Sequence, residues 1–261
     1  MKCSLIICTY KWPEALKLVL SSINSQSEAP NEIIIADDGS GSRTKKTIFD
    51  FSVKSNIPII HSWQEDKGCR IPHSRNLAIS KSSYEYIIMI DGDTVLHKDF
   101  VKDHKKFAEK GIYIQGSRVL LQQKITDKIF IFGQFLKPRL FFKEAKNSLN
   151  MIRIPNNAIF FSYFKSQNII RIRGCNYSIF KEDILKVNGF NEEFTTWGRE
   201  DSEFVQRLFN AGLKKIHLKF SGIQYHLYHK ERTTNGTNDA LFENTIKKKE
   251  IWCRLGIDRY L

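Results

Sequence analysis

The chain has 261 residues, with 41 Lys and Arg against 28 Asp and Glu, so its formal net charge is +13. Hydrophobic residues make up 41% and charged residues 26% of the sequence, an ordinary globular composition that excludes a disordered or collagenous chain. The length fits one large α/β domain or two smaller ones. The positive charge predicts a polyanionic partner, which is a nucleic acid, an anionic membrane or a phosphorylated ligand.

The sequence predicts neither a membrane span nor a signal peptide. The longest apolar runs, such as Tyr86–Ile90, are far shorter than the roughly 20 residues that a membrane helix needs. Residues 1–8 lack the apolar length and the cleavage site of a signal peptide. The five cysteines form neither a CxxC pair nor a zinc spacing. We therefore expect reduced thiols in a cytoplasmic protein, either free or peripheral on the cytoplasmic face of the inner membrane.

Strand and helix patterns alternate along residues 1–117. Short apolar runs predict four buried strands, which are Cys3–Cys8, Glu32–Ala36, Pro58–His61 and Tyr86–Ile90. Apolar residues at helical spacing predict helices over Trp12–Ser25 and Arg75–Ser80, and a polar helix follows the second strand. This alternation predicts a mostly parallel, doubly wound sheet that binds ligands at the carboxyl ends of its strands.

Residues 118–173 differ in composition from the segments on either side. They contain eleven Lys and Arg against two acids, so this segment alone carries +9. Its nine aromatic residues are Phe130, Phe132, Phe135, Phe141, Phe142, Phe160, Phe161, Tyr163 and Phe164. Two interpretations stay open: a Phe-rich core with solvated Lys and Arg, or a surface that docks on an anionic membrane and serves a lipid-linked acceptor.

The regular pattern resumes after residue 173. The sequence predicts helices over Lys181–Val187 and Glu200–Ala211, a strand over Lys214–Lys219, and a basic amphipathic helix in the tail Asp239–Leu261. No repeat or linker is found, so we expect one domain with an insertion. Its parts are a nucleotide-binding half (1–117), the insertion (118–173), an acceptor and catalytic half (174–240) and a basic C-terminal helix (241–261).

Acidic residues follow two of the predicted strands. Asp91-Gly92-Asp93 places two carboxylates toward one space, and like charges that close need a cation. An oxygen-rich site of this kind suits Mg²⁺ or Mn²⁺ bridging a diphosphate. In Asp37-Asp38-Gly39-Ser40, the second carboxylate is suited to accept a hydrogen bond from a base or a ribose. Ordinary Asp-Gly turns are the alternative interpretation of both clusters.

The segment after residue 173 offers groups suited to a sugar. The candidates are Asn176, Trp197, Gly198, Glu200 and Asp201. Asn176 supplies an amide next to a glycine, Trp197 offers a flat apolar face, and Gly198 leaves the backbone uncovered. Acids are common at a helix N-terminus, where the macrodipole favours them, so a structural role is the alternative for Glu200 and Asp201.

Two histidines follow a strand near the end of this segment. His226 and His229 are a candidate pair of metal ligands, although a lone histidine is more often structural. Imidazole ligands beside the carboxylates would favour Mn²⁺ over Mg²⁺.

Together, these segments resemble the family 2 glycosyltransferases of the GT-A fold, with the galactosyltransferase-type motif in the C-terminal part. The resemblance extends over about residues 3–230 and includes bacterial polysaccharide, lipopolysaccharide and chondroitin-polymerase-like enzymes. It is carried by Ser4–Tyr10, Asp37–Ser40, Gly68–Arg70, Arg75-Asn76, Asp91–Asp93, Gly174–Asn176, Gly189–Glu192, Trp197–Asp201 and Tyr225-His226.

The resemblance implies a role for each matching position. Thr9 and Asp38 would line the uracil pocket with Tyr10 nearby, and Arg75 would help to hold the nucleotide. The implied metal ligands are Asp93 and His226, with Asp91 acting directly or through water and His229 assisting or replacing His226. The residues that would contact the sugars are Asn176, Trp197, Gly198 and Glu200. Asp201 would be the catalytic base. Arg199 stands where a small residue is common, and it could change the acceptor or donor preference or bind an acidic sugar.

The implied reaction moves a hexose or N-acetylhexosamine from a UDP-sugar to a saccharide acceptor. A divalent cation would stabilise the charge that develops on the leaving diphosphate. A carboxylate must take the proton of the acceptor hydroxyl. One base and no enzymic nucleophile predict a single displacement with inversion, in the context of bacterial surface polysaccharide synthesis.

Three other functions are possible alternatives. A sugar-nucleotide enzyme of another class, such as a nucleotidyltransferase, would be expected to have a glycine-rich phosphate loop near the N-terminus, and residues 8–14 contain no glycine. A basic nucleic-acid-binding protein would explain the charge and the aromatic content, but the sequence contains no nucleic-acid module and the carboxylate clusters would stay unexplained, so no nucleic acid is expected as a partner. A non-catalytic module that binds sugar nucleotides is disfavoured because Asp93, Asp201 and His226 are all present.

Overall fold

The computed structural model describes residues 1–135, 138–154, 164–169, 172–230 and 236–261. The strands of its larger sheet are β1 (Cys3–Thr9), β2 (Glu32–Asp37), β3 (Ile59–Trp63), β4 (Tyr86–Asp91), β6 (Ile112–Gln115), β9 (Asn176–Phe180) and β10 (Lys214–His217). The strands of a smaller sheet are β5 (Thr94–Leu96), β7 (Arg118–Leu121), β8 (Ala145–Lys146) and β11 (Gln224–His226). The α-helices are α1 (Pro13–Asn24), α2 (Ser42–Ser52), α3 (Ile71–Ser80), α4 (Phe100–Lys106), α5 (Gln123–Phe132), α6 (Lys181–Leu185), α7 (Glu200–Asn210) and α8 (Asp239–Lys248).

The larger sheet has the strand order β10-β6-β9-β4-β1-β2-β3. Strands β1 to β4 run parallel to one another, and β9 is antiparallel to both β4 and β6. The predicted mostly parallel α/β sheet is thus confirmed, and all four strands predicted in residues 1–117 form. The smaller sheet has the order β5-β11-β7-β8.

Helices cover both faces of the larger sheet. On one face, Ile6 and Ile34 pack in a cluster with Phe204 of α7. On the other face, Leu5 packs in a cluster with Leu16 of α1. Successive side chains of a strand point to opposite faces, so a strand covered on both sides must be apolar along its whole length. This requirement explains the continuous apolar runs that predicted β1, β2 and β4.

The segment 118–173 divides between a core and an exposed surface. Phe141 is buried with Ile125 and Ile129 of α5, which agrees with the interpretation of a Phe-rich core. Phe132 and Phe142 are exposed. The predicted aromatic residues Phe160, Phe161 and Tyr163 lie outside the described residues. The segment also supplies β7, which pairs with β11, so it is built into the smaller sheet.

The C-terminal helix is shorter than predicted. It ends at Lys248, because Lys249 adopts a left-handed conformation with φ of 51° and the Glu250 N–H donates to the carbonyl of Thr245. The prediction of a helix through Leu261 is therefore wrong. The tail instead packs on the domain, where Cys253 and Ile257 are buried. A Cβ on Gly256 would lie 2.0 Å from the Asn188 carbonyl, so this close approach requires glycine.

No helix in the described ranges is both long enough and apolar enough to cross a membrane.

Candidate functional site

A cavity of about 1480 Å³ opens where β1, β2 and β4 end. This is the edge of a parallel sheet at which ligands bind in α/β folds. The candidate residues that line it are Thr9, Tyr10, Asp38, Arg75, Asp91, Asp93, Trp197, Gly198, Glu200, Asp201, His226 and His229. The structure therefore brings together every residue that the sequence proposed for the site except Asn176.

The Asp38 carboxylate is held on the β2 side of the cavity. Its Oδ1 accepts a hydrogen bond from the Gln64 amide, and its Oδ2 accepts one from the Arg70 N–H at 3.0 Å. Burial raises the pKa of Asp38 despite these bonds. The side chain is fixed in direction, and oxygen lone pairs stay available for one more donor. On the same side, Tyr10 is 39% exposed and lines the cavity.

The turn Asp91-Gly92-Asp93 is pressed against the end of β1. The Gly92 N–H donates to the Cys8 carbonyl at 2.7 Å, and a Cβ on Gly92 would lie 3.0 Å from that oxygen. Burial, and then the charge of Asp93, raise the pKa of Asp91 to about 7. The negative charge of Asp93 thus disfavours ionisation of Asp91, and a nearby cation would relieve this repulsion.

The Asp93 carboxylate lies close to the side chains of His226 and His229. Its Oδ1 lies 3.7 Å from His226 Nε2, and its Oδ2 lies 3.3 Å from His229 Nε2. Pairing of β11 with β5 produces this contact, since the Leu227 N–H donates to the Asp93 carbonyl at 2.9 Å. Burial lowers the pKa of His226, which keeps its imidazole neutral and able to bind a metal.

These three side chains form a candidate metal centre. One ligand atom from each of Asp93, His226 and His229 lies within 4.8 Å of the others. The Asp93 Oδ1 atom is buried without a hydrogen-bond partner among the described residues. A buried carboxylate oxygen that lacks a donor fits a cation. Asp91 lines the same cavity but is not part of this three-residue cluster.

Both oxygens of the Asp201 carboxylate accept a hydrogen bond from the protein. The Arg75 Nη1 donates to its Oδ1 at 2.6 Å, and the Gly174 N–H donates to its Oδ2 at 2.8 Å. A Cβ on Gly174 would lie 2.2 Å from Asp201 Oδ1, so glycine is needed for this approach. The sequence predicted that Arg75 holds the nucleotide. The structure pairs it with Asp201, and contact with a nucleotide stays a prediction.

Glu200 lies beside Asp201 at the start of α7. Its Oε2 accepts a hydrogen bond from the Gly198 N–H at 2.8 Å. Burial, and then the charge of Asp201, raise the pKa of Glu200 to about 7. Gly198 has a φ of 105°, which turns the chain sharply and leaves the Trp197 ring at the cavity wall. The arrangement gives two neighbouring carboxyl groups of different exposure.

Asn176 supports the cavity wall and does not line it. Its side chain is buried, accepting a hydrogen bond from His104 Nε2 at 2.9 Å and donating to the carbonyls of Ser117 and Gly222. Both amide hydrogens are used, and burial keeps the oxygen out of reach of a sugar. The prediction that Asn176 contacts a sugar is corrected accordingly. No local pattern indicates these contacts, because the partners lie 46 to 72 residues away in the chain.

Two basic residues that line the cavity were not predicted from the sequence as site residues. Arg118 on β7 and Lys146 on β8 line the wall of the smaller sheet. Both fall in the insertion, whose charge suggested a solvated surface. Arg199 also lines the cavity and forms an ion pair with Asp239 at 2.6 Å, so an effect of Arg199 on the choice of substrate stays a prediction.

The comparisons with known proteins agree with this architecture. A family model described as glycosyl transferase family 2 matches residues 4–167, and one described as the N-terminal domain of galactosyltransferase matches residues 158–230. A chondroitin synthase of Escherichia coli is 25% identical over 227 residues, which is 80% of this chain and 32% of that protein. The chain thus spans about a third of the length of this relative.

Two solved structures share the fold. The Staphylococcus aureus protein TarS, residues 1–349 in complex with UDP, matches with a TM-score of 0.66 at 16% identity, over 100% of this chain and 68% of that one. The mannosyltransferase PcManGT from Pyrobaculum calidifontis, in complex with GDP-Man and Mn²⁺, matches with a TM-score of 0.60 at 15% identity, over 88% and 58%. At this identity the likeness shows the fold, which is the GT-A fold.

Proposed function

Because the chain belongs to glycosyl transferase family 2, we propose that it is an inverting, metal-dependent glycosyltransferase. It moves a hexose or an N-acetylhexosamine from a UDP-sugar to a saccharide acceptor. One observation carries this proposal: two different groups of side chains line the same cavity. The first is the cluster of Asp93, His226 and His229, and the second is the carboxylate of Asp201, which accepts a hydrogen bond from Arg75. The first suits a cation with a diphosphate, and the second suits proton transfer.

The nucleotide lies on the β1 and β2 side of the cavity in this proposal. Thr9 and the oriented carboxylate of Asp38 contact the uracil, and Tyr10 lies beside it. Asp38 is suited to this role because both its oxygens are already fixed by protein donors. The choice of a uridine nucleotide rests on the family resemblance of these residues, since one of the two similar structures holds UDP and the other holds GDP-Man.

Asp93, His226 and His229 would hold the divalent cation, with Asp91 beside them. The fit rests on the buried, unpartnered Asp93 Oδ1 and on the neutral imidazole of His226. Mixed carboxylate and imidazole ligands favour Mn²⁺ over Mg²⁺. Such an ion supplies positive charge to the diphosphate of the donor.

Asp201 is the base that takes the proton of the acceptor hydroxyl. Arg75 and the Gly174 N–H fix its carboxylate, and each oxygen keeps a lone pair for the acceptor. The hydroxyl oxygen forms a bond to the anomeric carbon as the bond to the diphosphate breaks. With attack from the face opposite the leaving group, the configuration inverts. Trp197, Gly198 and Glu200 line the space for the sugars.

The acceptor is a saccharide or a lipid-linked saccharide of bacterial surface polysaccharide synthesis in this proposal. Similarity to a chondroitin synthase supports a growing glycan as the acceptor.

The proposal includes contact of the insertion with an anionic membrane surface. Ile131 and Phe132 at the end of α5 are exposed by 79% and 62%, and Lys124 and Lys128 of the same helix are exposed. Exposed apolar tips beside lysines suit an anionic interface. Flotation should show binding to vesicles with anionic lipid and weaker binding by Phe132→Ser. Equal recovery with neutral vesicles would contradict membrane docking.

The experiment that tests the proposed function is a panel of UDP-hexoses and UDP-N-acetylhexosamines with Mn²⁺. The proposal predicts that at least one donor raises the thermal unfolding temperature and is slowly hydrolysed to UDP, and that EDTA removes both effects. A protein that neither binds nor hydrolyses any UDP-sugar would contradict the proposal. A matched panel of GDP-sugars controls for the choice of base.

A further inference from the structure

Two basic side chains share the cavity wall with the metal centre, and the proposed reaction leaves them without a role. In the smaller sheet, His226 pairs with Leu120, and Leu120 pairs with Lys146. Residues directly opposite each other in neighbouring strands point to the same face. Arg118 precedes Leu120 by two residues, so its side chain points to that face as well. Arg118 and Lys146 therefore lie on the sheet face that carries His226.

Neither of these two residues is held in an ion pair with the described part of the protein, although the positive charge of Arg118 acts on the nearby carboxylate of Asp91. Within the described ranges, neither Arg118 nor Lys146 has a carboxylate oxygen within 4.0 Å of its charged nitrogens. Arg118 Nη1 donates a hydrogen bond to the Cys175 sulfur at 3.8 Å, and its Nε is buried without a hydrogen-bond partner among the described residues. Two other arginines of the cavity, Arg75 and Arg199, do have carboxylate partners.

An unpartnered buried N–H group of a guanidinium carries a desolvation cost that an anionic ligand would remove. The planar guanidinium matches the two oxygens of a carboxylate or a phosphate, and a lysine adds a mobile point charge. The wall formed by Arg118 and Lys146 thus has the chemistry of a site for an anionic oxygen group.

We propose that the saccharide acceptor carries an anionic group, a carboxylate or a phosphate, that binds to Arg118 and Lys146. This inference rests on the proposed function and names the class of its second substrate. The donor diphosphate is already matched by the cluster of Asp93, His226 and His229. Lys146 lies on the edge strand β8, two strands beyond β11, which separates its Cα from that of His226 by ~10 Å. Lys146 therefore extends the site away from β11, and Arg118 on β7 lies between Lys146 and the cluster.

The test uses matched pairs of soluble acceptors with the donor found in the UDP-sugar panel. One pair is an oligosaccharide that ends in glucuronic acid and its methyl ester, and the other is an oligosaccharide with and without a terminal phosphate. We expect the charged member of at least one pair to have a KM lower by about tenfold or more, as for a charged hydrogen bond. The pair that shows the preference distinguishes a carboxylate from a phosphate.

The variants Arg118→Gln and Lys146→Gln should each bring the ratio of the two acceptor KM values within a pair closer to one. Both variants should leave the KM for the donor within twofold of the native value. Lys146 is exposed, so Lys146→Gln serves if Arg118→Gln does not fold. Lys45→Gln, on the exposed side of α2, is the matched control and should keep the full preference.

Three results would overturn the inference: equal KM values within both pairs, a preference that survives both variants, or variants that raise the donor KM instead. The last result would assign the two cations to the diphosphate. A protein that hydrolyses the donor but treats both members of each pair alike overturns this inference alone. A protein that binds no UDP-sugar overturns the proposed function as well.

Discussion

Arg75 donates a 2.6 Å hydrogen bond to Oδ1 of Asp201, although the two residues lie 126 positions apart in the chain. The guanidinium of Arg75 is almost completely buried, and Asp201 reaches the cavity. The second oxygen of Asp201 accepts the Gly174 N–H. A carboxylate held at both oxygens has a fixed direction, which is what a base needs in order to meet a hydroxyl group. Arg75 is therefore a positioning residue for Asp201.

Replacement of Arg75 separates this role from contact with the nucleotide. We expect Arg75→Gln to lower kcat by about tenfold to a hundredfold, because Asp201 loses its fixed direction, with donor KM and UDP affinity within about twofold. Arg75→Lys keeps the charge and should recover part of kcat. Steady-state kinetics and UDP titration on the folded variants measure the split. A raised donor KM with unchanged kcat would instead support the nucleotide contact predicted from the sequence.

The buried carboxyl of Glu200 predicts a pH dependence of stability. Burial raises the pKa of Glu200 in the folded protein to about 7, from an ordinary 4.5. Between these pH values the folded state keeps a proton that the unfolded state has lost, so stability falls as the pH rises through this window. Glu200→Gln removes the effect and still accepts the Gly198 N–H. We expect the variant to gain roughly 1–3 kcal/mol over the native protein between pH 4.5 and 7.5.

Chemical denaturation at a series of pH values measures this gain. The matched control is Glu243→Gln, on the exposed side of α8, whose unfolding free energy should stay parallel to that of the native protein. If Glu200→Gln is also parallel to the native protein across the window, Glu200 does not hold a proton in the folded state.

The geometry of the candidate metal centre predicts that substitution of two neighbouring aspartates weakens Mn²⁺ binding to different extents. Asp93 belongs to the cluster with His226 and His229, and Asp91 does not. We expect Asp93→Asn, His226→Ala and His229→Ala each to weaken Mn²⁺ binding by about tenfold or more, because each removes a ligand. Asp91→Asn should weaken it less than Asp93→Asn. Calorimetric titration of Mn²⁺ without a donor measures the order. The reverse order would place the ion at Asp91.

Because Asn176 is buried and fully engaged in the protein, its replacement should lower stability and should not weaken sugar binding directly. Asn176→Ala would leave His104 and two buried carbonyls without partners, so we expect a loss of about 3 kcal/mol in the free energy of unfolding. Asn24→Ala, at the exposed end of α1, is the control and should change it by less than about 1 kcal/mol. A variant of native stability with a raised KM for the donor would restore the sugar contact.

The sequence predicted the strands and the position of the cavity for one physical reason. Parallel strands that are buried on both faces must be apolar throughout, so β1, β2 and β4 stand out as continuous runs. The polar groups that follow them collect at one edge of the sheet, which placed Asp38, Asp91 and Asp93 together.

Contacts between distant segments could not be predicted in the same way. The partners of Arg75 and Asn176 depend on how α7, β9 and the smaller sheet pack, and no local pattern encodes that. Strands β5 and β8 have three and two residues, which is too short for a periodic signal. Lys146 therefore looked like part of a charged surface. The tail after Lys248 was misjudged because its buried residues also suited an amphipathic helix.

Transfer and UDP binding measured on the same preparation of Asp201→Asn test most directly whether Asp201 is the base. Asparagine keeps the size of the side chain and cannot take the proton of the acceptor. We expect transfer to fall by about 10²- to 10⁴-fold and UDP affinity with Mn²⁺ to stay within about twofold. Asp50→Asn, on exposed α2, should leave both unchanged. Unchanged transfer by Asp201→Asn, or a parallel loss of UDP binding, would contradict the assignment of Asp201 as the base.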